Sequence, residues 1–404
     1  MIDFRNLLTA VLAGGMILVA DANSVFAHWC PFCDAPSLTM SEQVDQSQHL
    51  LLGRWLGGDK ATPESAGTAR FRITEVARSK DDAFTVDQEI QLPQYIAGDE
   101  DASYVLMGPD IKLVDWHVPS EATQESWKYI SHLPPPATEQ EDKVRRLEYF
   151  IPYLQHPELT VSNDVYAEFA AAPYEVIKPV WEKLPREKLR HWVLDPETPV
   201  TRLGLYGLLL GLCGNEEDAA AMKEKILQPT EEFRLGIEGV MAGYVLITGE
   251  AGLKILEDQR MNSTTYQTED GEEKKIPFSE IYACMQTLRF LWTYEPDRVP
   301  KQRLKESMRI LLPRPELADL VIADLARWED WDIQEQLMAM YDQPEFDIPS
   351  VKRAIVRYLF YCSEVKQEGT EEPTEQAAAA LERLRVLEEK DPKTVTNAKR
   401  FLIR

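Results

Sequence analysis

The feature that most constrains this chain is a helical segment that recurs after a fixed step. Val200-Thr201-Arg202-Leu203-Gly204-Leu205-Tyr206-Gly207-Leu208 is followed, 32 residues on, by Glu232-Phe233-Arg234-Leu235-Gly236-Ile237-Glu238-Gly239-Val240. Val351-Lys352-Arg353-Ala354-Ile355-Val356-Arg357-Tyr358-Leu359 has the same shape, and Val161-Ser162-Asn163-Asp164-Val165-Tyr166-Ala167 is a weaker copy. Apolar helices are also expected over 280–294 and 316–328, with amphipathic ones over 219–227 and 333–341. Short apolar helices of this kind cannot bury their faces alone. They stack, each pair covering the next, so that several share one core.

This rhythm, the Pro-led turns before Val200 and Val351, and the recurring Arg202, Arg234 and Arg353 resemble HEAT repeats over roughly residues 138–365. The resemblance implies an α-solenoid of paired helices, a scaffold that presents long surfaces to partners. Residues 253–277 break the pattern with a polar insertion, Glu269-Asp270-Gly271-Glu272-Glu273-Lys274-Lys275. Residues 371–404 form a charged helical tail suited to capping the last pair.

Ahead of the helices the period changes from helical to two. Strands are expected at 49–56, 68–76, 84–92, 104–107 and 111–114, with turns at Gly57-Gly58-Asp59, Ser79-Lys80-Asp81-Asp82 and Gly98-Asp99-Glu100-Asp101. Ser37 or Thr39 is placed to cap a short helix before them. Five short strands without intervening helices suggest a small OB-like barrel. Pro134-Pro135-Pro136 continues neither a helix nor a central strand, so a boundary is expected there. The chain then reads as α+β: a module over 28–136, and a helical stack over 137–404.

The N-terminus has the three parts of a secretory signal peptide. A short polar start with Arg5 precedes an apolar run over 7–20, and Val25-Phe26-Ala27 places small residues around a cut after Ala27. The run is shorter than the ~18–20 residues that span a bilayer, and no later segment is apolar enough to do so. Export to the periplasm or the extracellular space is therefore expected for the chain beyond residue 27. The formal net charge of −24 repels phosphate backbones and anionic lipid. That charge disfavours nucleic acid as a partner and leaves protein as the expected one.

Chemistry is concentrated in Cys30-Pro31-Phe32-Cys33. A C-x-x-C pair closes a small disulfide ring, and a helix N-terminus beside it can lower a thiolate pKa, which is what redox exchange needs. The Pro-Phe pair is similar to that of glutaredoxins, although strands, not an α/β unit, follow it here. With His28, Asp34 or His49 the same cysteines would supply half of a tetrahedral metal site. A third reading joins the cysteines to Gly53-Arg54-Trp55, Phe71-x-Ile73-x-Glu75-Val76 and Tyr104-Val105-Leu106-Met107-Gly108. That order is similar to secreted netrin-like OB-fold modules, which include tissue inhibitors of metalloproteinases. It implies a five-stranded barrel, and, in the inhibitory members, a free N-terminal Cys on a protease metal. Here His28-Trp29 precede Cys30.

The reading preferred is a structural disulfide that pins the start of the exported chain to the barrel. Cys213, Cys284 and Cys362 sit singly in apolar helical patterns and read as buried free thiols. Trp181, Trp192, Trp292 and Trp328 read as packing between helices, and Glu329-Asp330 with Asp332 as a solvated turn. No nucleophile elbow, zinc-protease helix, phosphate-cradling loop or EF-hand occurs, so no catalytic residue and no cofactor is expected. As a whole the chain resembles exported bacterial proteins in which a C-P-F-C segment leads into helical repeats, a resemblance that implies no activity. The expectation is an extracytoplasmic interaction or scaffold protein. Thiol-disulfide exchange through Cys30 and Cys33 is one alternative, and a metal-binding or protease-inhibitor-like module is the other.

Overall fold

The computed structural model describes residues 30–33, 38–230, 232–268 and 270–400. The signal-peptide segment, His28, Asp34 and Ser37 lie outside the described residues.

The β module is an open antiparallel sheet. Its strands are β1 (His49–Gly57), β2 (Ala69–Ser79), β3 (Glu89–Leu92), β4 (Ser103–Gly108) and β5 (Ser120–Glu121), in the order β3-β2-β1-β4-β5. Leu51 faces Val76 and Leu106, while Phe71 pairs with Ile90. The expected barrel does not close, because β3 and β5 stand at opposite edges. The side-chain alternation explains why. Leu51, Phe71, Ile73, Ile90, Leu92, Tyr104 and Leu106 point to one face and make a small core with Phe84 and Trp116. Leu50, Leu52, Val105 and Met107 point to the other and join the helical core beside Trp127 and Ile130. A sheet whose second face is covered by helices has no need to curl on itself.

The expected strand at 111–114 is absent. Ile111 and Val114 are exposed, and Leu113 has φ 60°, in the left-handed region that no strand residue adopts. The fifth strand comes later, where Val105 pairs with Ser120. The expected strand at 84–92 shortens to its last four residues: Val86 is exposed and Asp87 has φ 68°.

Seventeen α-helices occur among the described residues. α1 (Met40–Gln46) precedes the sheet and α2 (Gln124–Ser131) follows it. Then come α3 (Gln140–Phe150), α4 (Leu159–Ala171), α5 (Tyr174–Ile177), α6 (Arg186–Leu194), α7 (Val200–Cys213), α8 (Glu216–Leu227), α9 (Ile237–Thr248) and α10 (Glu250–Leu256). The rest are α11 (Phe278–Tyr294), α12 (Lys301–Ile310), α13 (Ala318–Arg327), α14 (Gln334–Tyr341), α15 (Pro349–Ser363), α16 (Glu375–Lys390) and α17 (Pro392–Lys399). Proline opens several of them, with Pro199, Pro277 and Pro300 at the N-cap and Pro349 in the first turn, where a missing N–H costs nothing. Asn215 and Thr123 close capping boxes on α8 and α2. The polar insertion folds as a hairpin of β6 (Thr265–Gln267) and β7 (Glu273–Lys275).

Neighbouring helices pack in series: α6 on α7, α7 on α9, α9 on α11, α11 on α12, α13 on α15, and α15 on both α16 and α17. The 32-residue step has a direct physical meaning at α7 and α9. Gly204, Gly207 and Gly211 face Gly239 and Gly243 so closely that a Cβ on Gly211 would stand 2.2 Å from the Cα of Gly243. The matching pairs advance in the same direction along both helices, so α7 and α9 run parallel, with α8 as the return between them.

Buried carboxylates tie the series together, each held by an arginine from a neighbouring element. Glu168 takes Arg146 at 2.6 Å, Asp218 takes Arg186 at 2.6 Å, and Glu280 takes Arg234 at 2.5 Å. Glu257 takes Arg303 at 2.6 Å, Asp324 takes Arg289 at 2.7 Å, and Asp330 takes the Nε of Arg309 at 2.7 Å. Asp330 is thus buried in a clasp, contrary to the solvated turn expected there. No helix among the described residues is long and apolar enough to cross a membrane.

Candidate functional site

Cys30 and Cys33 are joined as a disulfide, in a turn closed by Cys33 N–H donating to Cys30 O at 3.3 Å. The turn does not pin the chain to the sheet, as the sequence suggested. It seats on the helical stack. Cys30 is buried, and its N–H donates to the carbonyl of Ala170 at the end of α4, at 3.0 Å. Phe32 lies over α7, its carbonyl oxygen 2.8 Å from where a Cβ on Gly204 would stand. Its ring is 5.1 Å from that of Phe290, which in turn meets Tyr174 at 5.1 Å and Tyr294 at 5.6 Å. Pro31-Phe32 therefore anchors the chain in an aromatic cluster built by α5 and α11.

The chain meets α4 a second time at α1. Thr39 caps α1 in a capping box with Glu42. Met40 N–H donates to Asp164 Oδ1 at 2.6 Å, and Ser41 Oγ donates to Glu168 Oε1 at 2.5 Å. Tyr129 O–H donates to the other oxygen of Asp164 at 2.6 Å. Asp164 and Glu168 sit one turn apart on α4, with Arg146 on Glu168. Burial raises the Asp164 carboxyl from 3.8 to about 6; the nearby Glu168 charge raises it further, while the Tyr129 and Met40 hydrogen bonds and Arg146 hold it down. A cavity of about 190 Å³ lies beside this cluster, lined by Thr39, Glu42, Lys143, Arg146, Glu168 and Pro173. Sequence reasoning missed these carboxylates. The available signal was Asp164 and Glu168 on the same helical face as Val161 and Val165.

The other candidate ligands are dispersed. His49 is buried in the sheet core, edge-on to Phe84 at 4.8 Å and stacked 6.0 Å from Trp116. Burial lowers its pKa. Among the described residues no group of three His, Cys, Asp or Glu side chains stands close enough to hold a metal. Burial pushes the thiols of Cys213, Cys284 and Cys362 up to about 11, 12 and 11, which leaves them poor nucleophiles. Trp292 stacks on Trp328 at 4.4 Å and Trp192 meets Tyr206 at 5.2 Å, whereas Trp181 is half exposed and does not pack as expected.

A groove of about 950 Å³ lies between α13 and α15. Leu320, Ala323 and Arg327 line one wall, and Arg353, Arg357 and Tyr361 the other, with Trp331 and Tyr358 also contributing. Leu320 and Tyr361 remain 36% and 44% exposed.

No protein-family model matches the chain, and a search of curated proteins finds no match.

Proposed function

We propose that this chain is an extracytoplasmic interaction protein: a HEAT-like solenoid that offers its surface to a protein partner, with the sheet packed on its first helices. The observation that carries this reading is the open α13–α15 groove, where Leu320 and Tyr361 stay partly in solvent beside Arg353 and Arg357. Exposed aromatic and apolar side chains in a concavity are what binding surfaces are made of. Export rests on the sequence of residues 1–27.

Thiol-disulfide exchange is the second reading, and the partial exposure of Cys33 favours it. An external thiolate would attack Cys33 Sγ, form a mixed disulfide there and release Cys30 as thiolate. Cys30 is buried among apolar groups, where a thiolate is poorly solvated and a poor leaving group. The interaction reading is therefore preferred.

Affinity capture with the chain from residue 28 onward, applied to the envelope fraction after crosslinking, tests it. A stoichiometric protein partner, absent when the chain is first unfolded, is the expected result. Insulin reduction without any captured partner would favour exchange instead.

A further inference from the structure

We infer that the α13–α15 groove docks a protein segment carrying carboxylates beside an apolar or aromatic side chain, an inference that rests on the interaction reading above. Arg353, Arg357 and Tyr361 follow one another at four-residue steps, so they form a single stripe along α15 facing the groove. Elsewhere in the stack, Arg146, Arg186, Arg234, Arg289, Arg303 and Arg309 each meet a buried carboxylate. Arg353 and Arg357 belong to none of those clasps and to no other ion pair among the described residues. Arg357 Nε is shielded from solvent and has no hydrogen-bond partner. An incoming carboxylate would give the two groove-lining guanidinium groups the charge-assisted partner that the described residues do not supply.

The setting sharpens this. The chain has 68 acidic against 44 basic side chains, so two neighbouring arginines without a carboxylate run against its overall charge. Arg327, on the facing wall, is already held by Asp324 at 2.9 Å. Asp319 and Glu329 also line the groove, and they disfavour a ligand of uniform negative charge. The fit is to a segment whose carboxylates reach Arg353 and Arg357 while an apolar side chain lies between Leu320 and Tyr361. From Ser350 to Tyr361 the lining follows α15 for about 16 Å at ~1.5 Å per residue. That length suits a stretch of polypeptide better than a small anion.

The test uses the chain from residue 28 and three labelled synthetic peptides of equal length, read by fluorescence anisotropy. One alternates Glu with Leu and Phe; the others carry Gln or Lys in place of Glu. The Glu peptide should bind about tenfold or more tightly than the Gln peptide, and added salt should weaken it. Arg353→Glu with Arg357→Glu should cost about tenfold or more for the Glu peptide and raise affinity for the Lys peptide. If that pair disturbs the far-UV spectrum, Arg353→Gln with Arg357→Gln should still abolish the preference for Glu over Gln. Failure of the Glu peptide to bind, or equal binding to wild type and variants, overturns the inference. So does variant-sensitive binding to phosphatidylglycerol vesicles in place of the peptide, or a variant-sensitive dimer that puts a second copy in the groove. If wild type and the folded variant capture the same envelope partner equally, the groove inference falls and the interaction reading stands.

Discussion

Gly204 and Gly239 meet backbone to backbone: a Cβ on Gly239 would stand 2.1 Å from the carbonyl oxygen of Gly204. The obstacle is main chain, which cannot rotate away as a side chain could. Gly239→Ala must therefore push α9 off α7 and open the core between Leu205, Leu208 and Val240. A loss of about 1–3 kcal/mol or more is expected, read as a lower urea midpoint with an unchanged slope. Gly207→Ala, facing the Cα of Val240 at 2.6 Å, should behave alike. Unchanged midpoints would mean that the two helices are not packed this closely.

Two arginines converge on Glu280, as two do on Asp218 and on Asp324. Glu280 accepts from Arg234 Nε at 2.9 Å and lies 3.7 Å from Arg260 Nε, with all three side chains largely buried. Glu280→Gln leaves two buried guanidinium groups without a countercharge. Such one-sided losses cost about 3–5 kcal/mol, far more than the 0–1 kcal/mol typical of an exposed pair such as Arg385–Glu382. Chemical denaturation of the two variants, Glu280→Gln and Glu382→Gln, should separate them clearly.

Asp164 makes the N-terminal fastening depend on pH. Its carboxyl is raised from 3.8 to about 6, first by burial. The folded chain therefore holds this proton more tightly than the unfolded chain does. The associated stability is fully present below the ordinary value and is lost as pH rises through about 6. The size is on the order of 2–3 kcal/mol. Asp164→Asn keeps an acceptor for Met40 N–H and a polar contact for Tyr129 without titrating. Wild type should thus lose stability relative to this variant between pH ~4 and ~7. Parallel curves for the two proteins would show that Asp164 does not titrate in that window.

Much of this architecture is legible in the sequence, and the misses have physical causes. The 32-residue step relating Gly204 to Gly236 and Gly207 to Gly239 marks real helices, because apolar periodicity reports which faces are buried. That periodicity is silent on what lies opposite a glycine, so the close approach of α7 to α9 emerges only in three dimensions. Arg202, Arg234 and Arg353 recur in sequence yet differ in fate. Arg202 reaches Ser162 and Asn163, Arg234 clasps Glu280, and Arg353 lines the groove with no ion-pair partner among the described residues. Partners far away in sequence decide such roles. The barrel expected from five alternating strands fails to close because alternation does not say that Leu50, Leu52, Val105 and Met107 lie against helices. Cys30-Pro31-Phe32-Cys33 was visible as a disulfide candidate, but its seat on Ala170, Gly204 and Phe290 required the fold.

That seat is where the interaction and exchange readings part. A bridge whose first sulfur is buried, whose Cys30 N–H is held by Ala170 and whose Phe32 is lodged against Phe290 stabilises the oxidised form through the surrounding packing. The most direct measurement is the equilibrium reduction potential of the Cys30–Cys33 pair in the chain from residue 28, taken alongside an insulin reduction assay. A structural clasp on an interaction protein gives a potential below about −300 mV and no turnover. A potential near about −200 mV, in the range of thiol-exchange proteins, together with measurable insulin reduction would contradict it.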